Sequence, residues 1–234
     1  MNYSICISGA SSGETVTSSR TLAERLGAAV AGAGHVVTTG ATLGLPFYAA
    51  RAAFKVGGMS IGFSPAGSLQ EHVFKYRLPI GVFSYINYTG MHYVGRDVYL
   101  VQSSDAVITV GGRFGSLHEF TSALESNMPC GFLIGSGGAA DMIPDLMEKL
   151  EVPHRNMIIF DENPEELVKK VIAKLDELNK GIDTAALANK WFLSGEESQN
   201  SSNKGQTFSS LAIGNVNPNV EPTPGSDSKI IFPP

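Results

Sequence analysis

The sequence predicts an α/β fold: a doubly wound, mostly parallel sheet of about seven strands with helices on both faces. Two observations carry this. Short β-branched or apolar runs alternate with longer amphipathic stretches along the first 180 residues, the order that builds strand–helix–strand units. Several of the runs are apolar throughout, as central parallel strands are when helices bury both of their faces. With 43% of 234 residues hydrophobic and 17% charged, the chain can bury one substantial core without disulfide or metal staples.

Strands are expected at residues 3–8, 36–39, 59–63, 80–83, 106–110, 131–134 and 157–160. Residues 18–33 carry Leu22, Leu26, Ala29, Val30 and Ala33 at helical spacing and stop at Gly34, so a helix fills the first crossover. Further helices are expected at 46–56, 91–103, 116–126, 139–150 and 164–179. The last has Asn163 as a cap, Pro164 in the first turn, and Glu165 and Glu166 against the positive end of the helix dipole. Residues 1–180 thus read as one Rossmann-like domain. Residues 181–234 read as a tail. Trp191, Phe192 and Leu193 can still dock, but 194–227 is rich in Ser, Asn, Gly and Pro and is expected to be largely disordered. The apolar close from Lys229 to Pro234 reads as a loose end ahead of a docking segment. No internal repeat is visible.

A net charge of −5 and a pI near 5.5 give no general electrostatic reason to bind a polyanion, which demotes nucleic acid as a partner. Cys6 and Cys130 each sit in an apolar run without C-x-x-C or His-rich spacing, so both are expected in the core and no metal site is expected. The opening residues lack a basic leader region, and no window reaches the roughly 18 apolar residues of a membrane span. A cytoplasmic protein is expected.

An open parallel sheet binds ligands outside the carboxyl ends of its strands, where turns lead into helix N-termini and backbone N–H groups face an anion. Three such turns are rich in small residues: Gly9-Ala10-Ser11-Ser12-Gly13 after the first strand, Gly40-Ala41-Thr42-Leu43-Gly44 after the second, and Gly111-Gly112-Arg113-Phe114-Gly115-Ser116 after the fifth. Glycine lets the backbone approach a phosphate, and Ser and Thr hydroxyls add donors. One turn of this kind is as often a tight connection, but three at one sheet edge favour a nucleotide cradle. None carries the lysine of a P-loop. Glu119 falls about one turn into the helix after the third turn, placed either to handle a ribose hydroxyl or leaving group or merely to complement the dipole. By itself, Arg96 reads as a solvated helix arginine free to pair with Asp97.

Taken together, Met91-His92, Arg96, Ser104-Asp105-Ala106-Val107-Ile108 and the run from Gly111 to Glu119 resemble the signature of the LOG family, formerly labelled lysine decarboxylase-like. In that family an Arg precedes a Ser-Asp-Ala strand leading into P-G-G-x-G-T-x-x-E, and Arg96 and Glu119 fall on the Arg and Glu positions without a gap. Ser8-Gly9-Ala10-Ser11-Ser12 is similar to the family's first phosphate-side loop, residues 40–46 to its G-G-x-x-G-L-M turn, and residues 57–65 to its G-G-x-V-x-G-v-x-P strand. The likeness spans residues 3–175. It implies a homodimer that hydrolyses the N-glycosidic bond of a nucleoside 5′-monophosphate to free base and ribose 5-phosphate, with no metal or cofactor. In this reading the three turns hold the nucleotide and its phosphate through Gly9, Ala10, Ser11, Ser12, Gly40, Thr42, Gly44, Gly111, Gly112, Arg113, Phe114, Gly115 and Ser116. Glu119 binds or polarises ribose and water, and Arg96 assists with charge near the scissile bond. Preorganised polar groups can stabilise an oxocarbenium-like sugar and position water in this way.

The chain departs from the family pattern at several positions. Gly111 stands for the motif's Pro, Arg113 for its second Gly, Ser116 for its Thr, and Asp97 for the basic or amide residue that often follows the Arg. Arg113 either alters the turn, if positive φ is required there, or grips a phosphate bidentately. Asp97 can neutralise Arg96. The wider superfamily includes molybdenum-cofactor carriers and DprA-type proteins, and Val110-Gly111-Gly112 is closer to the carrier-like G-G-G-x-G-T-x-x-E. A noncatalytic nucleotide or molybdenum-cofactor carrier is therefore the alternative, and an interaction protein whose tail recruits a partner is a third reading. No pyridoxal-phosphate lysine motif supports decarboxylation. His118 neighbours Glu119 and could act as an acid or base, but adjacent helix residues point in different directions, so it reads first as a surface or subunit-contact residue, and His92 is similar. His72, Lys75, Tyr76 and Arg77 read as a packed helix end or a base cover, and Phe83, Tyr85, Asn87 and Tyr88 as core or as stacking residues. The apolar surroundings of Ala123, Leu124 and Met128 permit a helix interface.

Overall fold

In the computed structural model, which describes residues 2–182 and Ala186, seven strands form one sheet in the order β4-β3-β2-β1-β5-β6-β7. The strands are β1 (Ser4–Gly9), β2 (Val36–Thr39), β3 (Ser60–Ser64), β4 (Tyr85–Tyr88), β5 (Ala106–Val110), β6 (Cys130–Leu133) and β7 (Ile158–Asp161). Every pairing is parallel, so the fold expected from the sequence is the fold observed. The helices are α1 (Glu14–Ser18), α2 (Arg20–Gly32), α3 (Leu45–Lys55), α4 (His92–Gln102), α5 (Phe114–Glu125), α6 (Gly138–Lys149) and α7 (Pro164–Leu178). The chain divides after Gly181. The tail expected at 181–234 lies, apart from Gly181, Ile182 and Ala186, outside the described residues.

Alternation along the central strands sorts side chains into two cores. Ile5, Ile7, Ala106 and Ile108 pack against Leu26 and Val30 of α2, Ala49 of α3, and Leu167 and Val171 of α7. Cys6 and Val107 point the other way, onto Leu100 of α4, Phe120 of α5 and Ile143 of α6. Both cysteines are free and buried, as expected of core thiols. Strand order reverses between β1 and β5, where the chain turns first toward β4 and later toward β7. That reversal opens the crevice in which such sheets bind ligands.

The structure departs from these expectations at three places. The strand placed at 80–83 lies instead at Tyr85–Tyr88, because β4 is an edge strand and needs no continuous apolar run. The Ile80 to Phe83 run forms a turn that flanks β3, with Ser60 Oγ donating to the Val82 carbonyl at 2.6 Å. The helix expected over 18–33 is present as α2 and starts at Arg20, after Ser19, whose Oγ donates to the Ser136 carbonyl at 2.7 Å. This bond ties the crossover to the turn after β6. Ala123 and Leu124, offered as an interface, are buried in the second core instead.

Close packing of α2 on α3 rests on Gly27, where an added Cβ would stand 2.0 Å from the Ala49 carbonyl oxygen. Gly32, exposed at the end of the same helix, has open space around it. Gly27→Ala should lower stability by roughly 1–3 kcal/mol through overpacking, while Gly32→Ala should raise it by roughly 0.5 kcal/mol. Urea unfolding midpoints of the two variants move in opposite directions if this packing account holds.

Candidate active site

The three small-residue turns meet at the strand reversal. Gly9 ends β1 where a Cβ would press to 2.7 Å from the Val110 carbonyl oxygen. Gly44 has φ +79° and sits against the Ala10 carbonyl, and the Leu45 amide donates to that carbonyl at 2.9 Å. In the third turn Gly111 and Gly112 take positive φ, and their carbonyls accept the Ala140 and Ala139 amides at the start of α6. The Gly111 amide donates to Ser136 Oγ at 2.7 Å. Arg113 has φ −140°, extended backbone that any residue adopts, so the non-glycine residue leaves the turn undistorted. Its Nη2 donates to Ser12 Oγ at 3.0 Å, joining the first turn to the third.

A cavity of about 230 Å³ lies between these turns, lined among others by Gly9, Ser11, Gly40, Thr42, Arg96, Gly115, Ser116 and Glu119. Those eight expected site residues come together. Ala10 is buried behind the wall, and Ser12, Gly44, Gly111, Gly112 and Arg113 shape the turns without lining this cavity. Phe114 is 89% exposed and belongs to a neighbouring apolar groove with Leu117 and Met142.

Arg96 is the buried cation of the cavity. Its Nη1 donates to the Phe63 carbonyl at 3.1 Å, and the guanidinium lies so close over Gly40 that an added Cβ would stand 1.6 Å from Nη1. A side chain there would displace the guanidinium. Its Nε lies 3.1 Å from Asp97 Oδ1, yet the two are not aligned, and both atoms are buried without a hydrogen bond. Arg96 and Asp97 therefore present unused polar valence next to a cavity, which is what a site built for a polar ligand does.

Glu119 enters from α5 and receives a hydrogen bond from the Ser8 hydroxyl, while its carboxyl and that of Asp97 share a hydrogen bond. Burial first, and then the Asp97 carboxylate, push Glu119 up to about 7, against the opposing pull of Arg96 and of the Ser8 hydroxyl. Two carboxyls this close cannot both ionise cheaply, so the pair holds a proton near neutrality. Ser8 and Tyr93 are partners that the sequence reading did not single out as site residues. For Ser8 the signal was a hydroxyl inside an otherwise apolar strand; Tyr93 lies one helical turn before Arg96 and lines the cavity. His118 and Asp97 are in contact at 3.4 Å. His72 is fully buried, bonded to Ser64 and to the Pro79 carbonyl, which makes it a packing residue of the π-helical turn at Glu71–Lys75.

An all-parallel Rossmann-like sheet with its cavity at the strand reversal is the class that the fold and site define. Residues 2–168 match the profile of the SLOG cluster4 family, and the chain belongs to that family. Its motif-level kinship to LOG-like proteins thus holds. Among curated proteins no match is found. Solved structures share the fold. The X-ray structure of TM1055 superposes with a TM-score of 0.65 at 22% identity, covering 74% of this chain and 99% of that one. The molybdenum cofactor binding protein of the phototrophic bacterium Rippkaea orientalis gives 0.60 at 26%, covering 74% and 98%. The Moco carrier protein of Chlamydomonas reinhardtii gives 0.60 at 20%, covering 74% and 99%.

A carboxyl at about 7 when folded, against 4.5 as its ordinary value, binds more protons folded than unfolded between those two pH values. Its contribution to stability is therefore full at low pH and is lost as pH rises through 7. Glu119→Gln, neutral throughout, should lose less stability than wild type between ~pH 5 and ~pH 8, a difference of roughly 1–3 kcal/mol. Thermal unfolding at the two pH values checks this; parallel curves would contradict it.

Proposed function

We propose that the protein hydrolyses the N-glycosidic bond of nucleoside 5′-monophosphates, giving free base and ribose 5-phosphate. The observation that carries this reading is Glu119, a buried carboxyl poised near 7 beside Arg96 in a cavity at the sheet reversal. A base works best when it titrates near the working pH. As a carboxylate, Glu119 takes a proton from the attacking water and opposes the positive charge that grows on the ribose. Arg96 stabilises the electron pair that departs with the base, and the turn amides with Ser11, Thr42 and Ser116 receive the 5′-phosphate. The cavity is smaller than the roughly 300–1,000 Å³ usual for a whole small ligand. It accordingly encloses the sugar phosphate and leaves the base at the mouth beside Tyr93. The working form is a cytoplasmic homodimer, supported by the exposed apolar residues Met91, Val94, Val98 and Tyr99 along α4. No described helix is long and apolar enough to cross a membrane.

A noncatalytic carrier is the second reading, favoured by the likeness to the Rippkaea orientalis cofactor-binding protein and by the Gly111-Gly112 turn. Incubation with a panel of nucleoside 5′-monophosphates, including N6-substituted adenylates, separates the two by chromatography of free base. The hydrolase reading predicts release that falls by roughly 10²–10⁴ in Glu119→Gln. Thermal stabilisation by one of the nucleotides without any base release would favour the carrier.

A further inference from the structure

Asp97 on α4 faces two consecutive residues of α5. Neighbours on one helix point in different directions, but a side chain from a packed helix can bridge them. Asp97 Oδ2 lies 3.4 Å from His118 Nδ1, and its carboxyl is hydrogen-bonded to Glu119. The His118 side chain is 36% exposed, whereas Asp97 and Glu119 are both buried, at 7% and 8%, and both line the cavity. Titratable groups therefore run unbroken from solvent to the cavity, ending at Glu119 and the Ser8 hydroxyl.

Other groups facing Glu119 offer no second route. Arg96 on α4 offers donors only and has no site that accepts a proton. Cys6 on β1 is fully buried, and burial with the charge of Glu119 raises its thiol well above the ordinary range. The side chain of the row that meets water is the His118 imidazole, whose two ring nitrogens can take a proton on one side and give one on the other.

We propose that His118 and Asp97 are positioning residues that exchange the proton of Glu119 with solvent, an inference that rests on the hydrolase reading above. During turnover the C1′–N bond breaks with its electron pair passing to the base, which takes one proton from solvent. The water oxygen bonds to C1′ and yields one proton to the Glu119 carboxylate. Glu119 must lose that proton before the next cycle. It passes it to Asp97 as Asp97 passes one to His118 Nδ1, and the imidazolium gives one to water. One water is consumed, and the row returns to its starting charge.

The test is base release from the nucleotide panel by the full chain and by His118→Gln and Asp97→Asn, from ~pH 5.5 to ~pH 8.5, with and without added imidazole. Relay through His118 predicts that kcat of His118→Gln falls roughly 10-fold or more with KM within about twofold. Imidazole restores the rate in proportion to its concentration, and Asp97→Asn is not rescued. Wild-type release with an unchanged kcat and pH profile in His118→Gln overturns the relay and leaves the hydrolase reading standing. A loss that imidazole does not repair, accompanied by a raised KM and a lowered unfolding temperature, assigns the pair to helix packing and also overturns the relay. Absence of release from wild type removes the hydrolase reading and the relay together.

Discussion

Burial of two carboxyls and one guanidinium around a single cavity sets the terms for the rest of the site. If Asp97 and Glu119 were both ionised beside Arg96, one negative charge would remain uncompensated in a place that water enters poorly, at a cost of several kcal/mol. Retaining a proton on the pair avoids that cost, and this is why Glu119 titrates near 7. The same burial explains the surrounding choices. At Gly40 the guanidinium occupies the space that a side chain would take. Ser8 is a hydroxyl in an apolar strand because the Glu119 carboxyl needs a donor there.

The scaffold makes this burial possible. The parallel sheet reverses at β1 and β5, and helices on both faces leave only the carboxyl ends of the strands open. Turns that must bend sharply at this edge use Gly44, Gly111 and Gly112 in conformations that side chains resist. Arg113 needs no such freedom and spans from the third turn to Ser12. The position where the chain departs most visibly from the LOG pattern thus clamps two loops together. Asp97, another departure, converts a lone arginine–glutamate arrangement into one with a second, proton-sharing carboxyl.

Much of this was legible in the residues. Periodicity located the central strands within a residue, because apolar runs such as Ala106 to Val110 are buried on both faces and have no polar choice open to them. The edge strand was misplaced because only one of its sides pairs with the sheet, so Tyr85 to Tyr88 mix exposed and half-buried residues. The helix at 20–32 was legible, but its separation from the short helix before it was not, since Ser19 between them is held by a long-range bond to the Ser136 carbonyl. Small-residue turns located the cavity, and the motif supplied Arg96 and Glu119. The contact between Asp97 and His118 could not be read, since it depends on how α4 packs on α5, and spacing along one helix says nothing about the side chain facing it from another.

The most direct measurement of the central claim is pH-difference infrared spectroscopy of the full chain in the carboxyl C=O stretching region. The account predicts a protonated-carboxyl band that persists at neutral pH, disappears with a midpoint near 7, and is absent in Glu119→Gln. A band that is already gone at ~pH 5.5, as for ordinary carboxyls, or one that survives unchanged in the variant, would contradict it.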